Sequence, residues 1–384
     1  MKHNRKIIYL VGFLFSLPIA IISYINSSFM ASFVSEKWVG IIYTLASITS
    51  ILALVLAPAI FKKIGGYKFL LVATLLDALG LLAFSFVNNT YLAIILFVLG
   101  LALNTLIIFT LDEFLKIFSE NNATGKIRGG YIAICNIAWI ISQLARGTIL
   151  SDYSLRDLYL LSFVIMLVFL FVSAFKFRTL PDPIYDQESV FVYMRKFFQN
   201  SNLTRAYILN TLLQFFFSWM IVYTPIYLRA HLGFAWSEIG LIFAFMLLPL
   251  SIVPFHLGRY GDHVGERNLL MAGFMIISLS TISIFFISIH SIIVWAGILF
   301  LTRVGAATIE VMNDSYFFKH IKSENDEFIS VYRSSAPLAY IIGPIVAFIT
   351  FLLVPEFNYL YLTLGVIMAV GIYISSGIKI QTAK

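Results

Sequence analysis

The chain has almost no cysteine. Cys135 stands alone among 384 residues, which excludes a disulfide framework and a Cys-based zinc site. The six histidines show no HExxH or other paired metal spacing. There is no Walker motif, so nothing here points to ATP hydrolysis, and no nucleophile–base constellation rises above chance. Charge is scarce as well. Asp, Glu, Lys and Arg make up 12% of the chain, half the roughly 25% of a soluble domain. Apolar residues fill the gap: 60% of the chain is hydrophobic and mean hydropathy is +0.93. A soluble fold of this length cannot hide that much apolar surface. The composition excludes a soluble enzyme and a nucleic-acid-binding protein. The formal charge of +7 is scattered between apolar runs and is no nucleic-acid footprint. A polytopic protein of the lipid bilayer remains.

A spanning helix needs about 20 apolar residues. Twelve such runs are predicted, near 7–30, 38–61, 68–87, 90–111, 129–150, 157–177, 205–228, 237–257, 268–288, 291–312, 330–352 and 357–378. They are long and continuous, without the two-residue alternation of barrel strands. The first follows Met1-Lys2-His3-Asn4-Arg5-Lys6. It is too long for a signal peptide and lacks a small-x-small cleavage site, so it reads as an uncleaved anchor. Lys and Arg crowd alternate loops, among them Lys62, Lys63, Lys126, Arg128, Arg195, Lys196 and Arg267. The opposite loops hold Lys37, Arg146, Arg156 and Arg229. The positive-inside rule then places both termini in the cytoplasm and the chain in the cytoplasmic membrane.

The longest polar interruption, 178–204, follows the sixth run and divides the chain into 1–177 and 205–384. It holds Pro181-Asp182-Pro183 and an amphipathic stretch from Val190 to Phe198, read as a linker helix on the cytoplasmic membrane face. The halves echo each other at an offset of about 200. Gly65 matches Gly265, Ser119-Glu120-Asn121 matches Ser323-Glu324-Asn325, and Arg128 matches Arg333. Together these suggest a parallel six-plus-six repeat.

The stretch Gly258-Arg259-Tyr260-Gly261-Asp262-His263-Val264-Gly265-Glu266-Arg267 fits the loop signature G-x-x-x-D-x-x-G-x-R/K. With its twelve spans, two halves and central linker, the chain resembles the major facilitator superfamily over nearly its whole length. The fold this implies is an all-α integral membrane protein with 12 transmembrane helices in two pseudo-symmetric six-helix bundles. Loop 2–3, from Pro58 to Lys68, departs from the pattern: it keeps Gly65, but Lys62 stands where an acid is expected. In the superfamily loop 8–9 meets the start of helix 5, and loop 2–3 meets the start of helix 11. On that basis Asp262 and Glu266 face Lys126 and Arg128, while Lys62 and Lys63 face Glu324, Asp326 and Glu327. That is a cytoplasmic gate with one contact reversed in polarity. Gly258, Gly265, Arg267, Asp112, Asp314 and Arg333 are assigned to the same gate.

The resemblance also implies that helices 1, 4, 7 and 10 line a central cavity. On helix 10, Arg303, Ala307, Glu310 and Asp314 share a face. The functional reading is that Arg303 binds an anionic or polar group and Glu310 carries a proton. The alternative is a structural ion-pair or hydrogen-bond network. Helix 7 carries Tyr207, Asn210, Thr211, Gln214 and Ser218 on one stripe, where solute contact and interhelical bonding are both open. Asn104 on helix 4 and Asn136, Gln143 and Arg146 on helix 5 extend the pathway. Asp77, mid-run in helix 3, is a proton site or a structural hydrogen bond, because a lipid-facing carboxylate is untenable. The function implied is a monomeric secondary active transporter that moves a small organic solute by alternating access, with proton coupling. It is no enzyme and takes no cofactor or metal. Two rivals are an uncoupled uniporter and a non-transporting membrane receptor or assembly protein on the same scaffold.

Overall fold

The computed structural model describes residues 2–117, 131, 134–145, 149, 154–181, 190–321, 327–354 and 356–378. All regular structure among them is helical. Among the described residues eleven helices are long and apolar enough to cross a membrane, and a shorter apolar helix, Ile134–Ala145, lies where the fifth run was expected. Helices are the natural outcome: in hydrocarbon every backbone N–H and C=O must find its partner within the segment.

One compact unit comprises Met1–Gln187 with Ala235–Gly240, and the other Glu188–Phe234 with Leu241–Lys384. In the first, α1 (Lys2–Ser23) and α2 (Asn26–Ala31) form one crossing. There follow α3 (Glu36–Ile64), α4 (Gly66–Phe86), α5 (Thr90–Ile117), α6 (Ile134–Ala145) and α7 (Leu155–Lys176). The first run is therefore not the continuous helix expected. Pro18 lies inside α1 and brings no backbone donor. Side chains from other helices donate to carbonyls around it: Ser142 to Leu17 at 3.3 Å, Ser162 to Pro18 at 3.3 Å and Gln143 to Ala20 at 3.1 Å. The chain then turns at Tyr24-Ile25, and the Tyr159 hydroxyl donates to Asn26 Oδ1 at 2.7 Å. A triangle of Phe29, Phe84 and Tyr159, with centroids 4.8–5.1 Å apart, closes that end of the core. A capping box between Ser154 and Asp157 starts α7.

The second unit runs α8 (Val190–Gln199), α9 (Ser201–Ile226), α10 (Trp236–Val264, from Leu241 on), α11 (Glu266–Phe285), α12 (Ile292–Lys319), α13 (Glu327–Arg333), α14 (Ser335–Leu353) and α15 (Tyr359–Ser376). The Asn200 side chain caps α9, which ends in a π turn over Tyr227–His231. The eleventh run is broken at Ser334 into α13 and α14. The linker helix packs on protein. Phe197 is fully buried, with ring centroids 5.6 Å from Phe328, 6.0 Å from Tyr207 and 6.2 Å from Phe317. Arg195, Lys196 and Phe198 are left exposed. Phe197 of α8 thus finds its burial on protein.

Helix pairing repeats between the units. α4 packs on α5 and α7, as α11 does on α12 and α15; α1 packs on α7, as α9 does on α15. α6 bonds to α1, as α14 packs on α9. The turns repeat too. The two expected loops shrink to single residues: Gly65 joins α3 to α4 with φ 81°, and Gly265 joins α10 to α11 with φ 80°. Only glycine reverses the chain this way without strain. Exposed Leu76, Leu79, Leu99, Phe171, Leu279, Val366 and Tyr373 give both units apolar surface suited to lipid.

Candidate functional site

α12 carries the charges that the helix wheel places on one face, and the fold separates their environments. Arg303 is 1% exposed. Its guanidinium carbon lies 5.0 Å from the Phe217 ring centroid and 5.3 Å from that of Phe216, both on α9. Ala307 is buried as well. Two turns on from Arg303, Glu310 is exposed. Asp314 is half-buried; it accepts from the Tyr332 hydroxyl at 2.9 Å and from Arg333 Nη2 at 3.5 Å.

Asp314 belongs to a polar seam between α12, α9 and the break of the eleventh crossing. Asn313 donates to the Ala206 carbonyl at 2.9 Å and to the Tyr332 hydroxyl at 2.8 Å. Asn210 donates to the Ser335 hydroxyl at 2.7 Å, and the Tyr207 and Ser334 hydroxyls meet at 3.2 Å. Of the two readings open for the α9 stripe, interhelical bonding is therefore what occupies Tyr207 and Asn210. Thr211 and Ser218 bond to their own helix, at Tyr207 O and Phe215 O. Gln214 is half-buried. Asn313, Tyr332 and Ser335 were not anticipated. Asn313 lies about 80° from Arg303 around the helix, off the stripe of Arg303, Glu310 and Asp314.

In the first unit, Gln143 is fully buried and donates to the Ala20 carbonyl. Asn136 is half-buried. Asn104 folds back to donate to the Gly100 carbonyl at 3.0 Å. Asp77 is 2% exposed and turned away from the exposed Val72, Leu76 and Leu79 of its own helix. Arg146 lies outside the described residues.

The expected gate residues divide similarly. Glu266 accepts from Lys319 at 2.5 Å and from Ser315 at 3.3 Å. It also occupies the first turn of α11, where the helix dipole favours an acid. Lys62 and Lys63 sit exposed in the last turn of α3, where the dipole favours cations. Asp112 is exposed and Arg267 half-buried. Asp314 and Arg333 pair within the second unit. Gly258 and Asp262 belong to the last two turns of α10 rather than to a loop. The side chains of Asp262 and Glu327, and all of Lys126, Arg128, Glu324 and Asp326, lie outside the described residues.

Solved transporters share this architecture. The nucleoside transporter NupG matches at 12% identity with a TM-score of 0.75, covering 98% of this chain and 100% of that one. The POT family transporter PepTSo matches at 10% identity and a TM-score of 0.78, over 98% of this chain and 97% of that one. A bacterial homologue of the human lysosomal transporter Spinster matches at 11% identity and a TM-score of 0.70, over 97% and 94%. At these identities the likeness shows the fold. No curated protein sequence matches significantly. The family model of the Major Facilitator Superfamily matches residues 8–343 and 207–378, so this multi-pass membrane protein belongs to that superfamily of transporters.

Proposed function

We propose that the protein is a secondary active transporter that moves a small polar or anionic solute across the cytoplasmic membrane, with its termini in the cytoplasm and protons as the coupling ion. The observation that carries this reading is Glu310. It is exposed well inside α12, a helix long and apolar enough to span. A carboxylate at that depth is not tolerated against lipid and belongs on a water- or solute-filled path. Arg303 lies two turns away on the same face of the helix and adds a permanent positive charge. A cation fixed among aromatic rings favours a carboxylate or phosphate on the solute. Alternating access by two six-helix units is the transport mode that fits a parallel repeat.

The test uses the purified full chain. A thermal-shift screen over metabolites first finds ligands, because a bound solute stabilises the fold by linkage. Hits are then assayed in proteoliposomes with and without an imposed pH gradient. Acidic or strongly polar hits that accumulate only under the gradient support the reading. Hits confined to cations, or uptake indifferent to the gradient, sink it.

A further inference from the structure

The first unit holds a buried acid that the α12 path does not use. Asp77 sits near the middle of α4 (Gly66–Phe86) and is 2% exposed. Its Oδ1 lies 3.9 Å from where a β-carbon on Gly100 of α5 would stand. That is ordinary van der Waals distance, so the Asp77 carboxyl faces α5 at the Gly100 position. One turn further along α5, Asn104 shares the Gly100 face and bends back to that residue's carbonyl. Both Asp77 Oδ2 and Asn104 Oδ1 are buried without a hydrogen-bond partner among the described residues. Each is an acceptor. A proton on the Asp77 carboxyl supplies a donor where both are acceptors.

The helices packed on α4 are α3, α5 and α7. Their charged side chains lie toward the helix ends: Glu36, Lys37, Lys62 and Lys63 on α3, Asp112 and Glu113 on α5, and Arg156, Asp157 and Lys176 on α7. On α4 itself Lys68 is nine residues away, about 13 Å along the axis. The tyrosines that approach are Tyr43, whose ring is 4.9 Å from Phe97 one turn before Gly100, and Tyr159, beside Phe84. An ionised carboxylate in hydrocarbon without a cation or donors costs several kcal/mol, whereas a neutral acid supplies its own donor.

We propose that Asp77, set against α5 at Gly100 and Asn104, is a proton-binding site built into the first six-helix unit and separate from Glu310. With the proton bound, the O–H donates toward Asn104 Oδ1 and α4 stays packed on α5. On release the O–H bond breaks, the proton passes to water, and the carboxylate left behind needs water around it. The packing of α4 on α5 around Gly100 then loosens, so proton occupancy and α4–α5 packing are linked.

The site goes beyond the solute path, and its test needs no solute. Infrared spectra of the full chain in lipid at neutral pH should contain a protonated-carboxyl band that shifts in D2O. That band should be lost completely in Asp77→Asn and persist in Glu310→Gln. Two further readings do not depend on the Asp77 variant folding: 13C-labelling of aspartate carboxyls in the wild-type chain should shift the band, and Asn104→Leu should move it. A wild-type spectrum without the band, a band unmoved by aspartate labelling, or one that survives Asp77→Asn overturns the proposal.

Discussion

Asn210 donates its side-chain amide to the Ser335 hydroxyl at 2.7 Å, and Ser335 in turn donates to the Tyr332 carbonyl at 2.7 Å. The pair ties α9 to the point where α14 begins, just past the break at Ser334. The break leaves Tyr332 free to stack on Phe317, with centroids 4.1 Å apart and planes 10° from parallel. That stack lies beside Phe197 of the linker helix.

This bond has a measurable worth. Asn210→Leu and Ser335→Ala each remove one partner of a buried pair and should each destabilise the fold. A double-mutant cycle isolates the shared term, expected at about 0.6–1.7 kcal/mol for a side-chain bond between membrane helices. Equilibrium unfolding in micelles measures it. Strictly additive effects would mean that the contact holds nothing together.

The α11–α12 seam makes a second prediction. A β-carbon on Gly305 would stand 2.8 Å from the Gly273 carbonyl oxygen and 2.9 Å from the Ile277 nitrogen. Both are backbone atoms, and only moving a helix relieves the clash. Gly305→Ala should therefore cost about 1–3 kcal/mol. A β-carbon on Gly297, in the same helix, would meet nothing within 4 Å. Gly297→Ala should be neutral or stabilise by up to about 1 kcal/mol through helix propensity. Melting temperatures that move together in the two variants would contradict the seam.

The architecture is legible in the sequence because run length and basic loops are local properties. So is the pairing of Gly65 with Gly265, which the structure meets with matching backbone angles. The breaks are only partly legible. Pro337 marks the stop, because it brings no backbone N–H and is best tolerated in the first turn of a new helix. The groups that hold the break, Tyr207 and Asn210, leave no local mark because they are more than a hundred residues away. Asn313 escaped notice for a related reason: one of its partners is the Ala206 carbonyl, and a backbone acceptor leaves no mark in the sequence. The polar stripe on α12 was visible, but a helix wheel has no neighbours. It cannot say that Arg303 is walled in by phenylalanines while Glu310 stands exposed.

That contrast gives Glu310 a specific expectation. If it carries the coupling proton, Glu310→Gln mimics the protonated state permanently. Uptake driven by a pH gradient should fall to the level seen without one, while exchange of labelled for unlabelled solute persists at a rate within roughly tenfold of wild type, since exchange needs no proton release. Undiminished gradient-driven uptake would remove Glu310 from the coupling step.

Arg303 separates charge from shape. Its flat guanidinium meets two phenylalanine rings at 5.0 and 5.3 Å, and cation–π contacts out of water are each worth about 1–2 kcal/mol. Lysine keeps the positive charge but offers a compact ammonium in place of the plane. Arg303→Lys should therefore weaken solute binding by roughly tenfold, through a cation held less firmly in place. Arg303→Met keeps much of the volume and removes the charge, and should abolish binding of acidic solutes. Binding isotherms on folded, monodisperse protein decide the matter, with melting curves taken alongside. A purely structural Arg303 would show the opposite division: both variants would melt earlier, and the molecules that remain folded would bind solute with wild-type affinity.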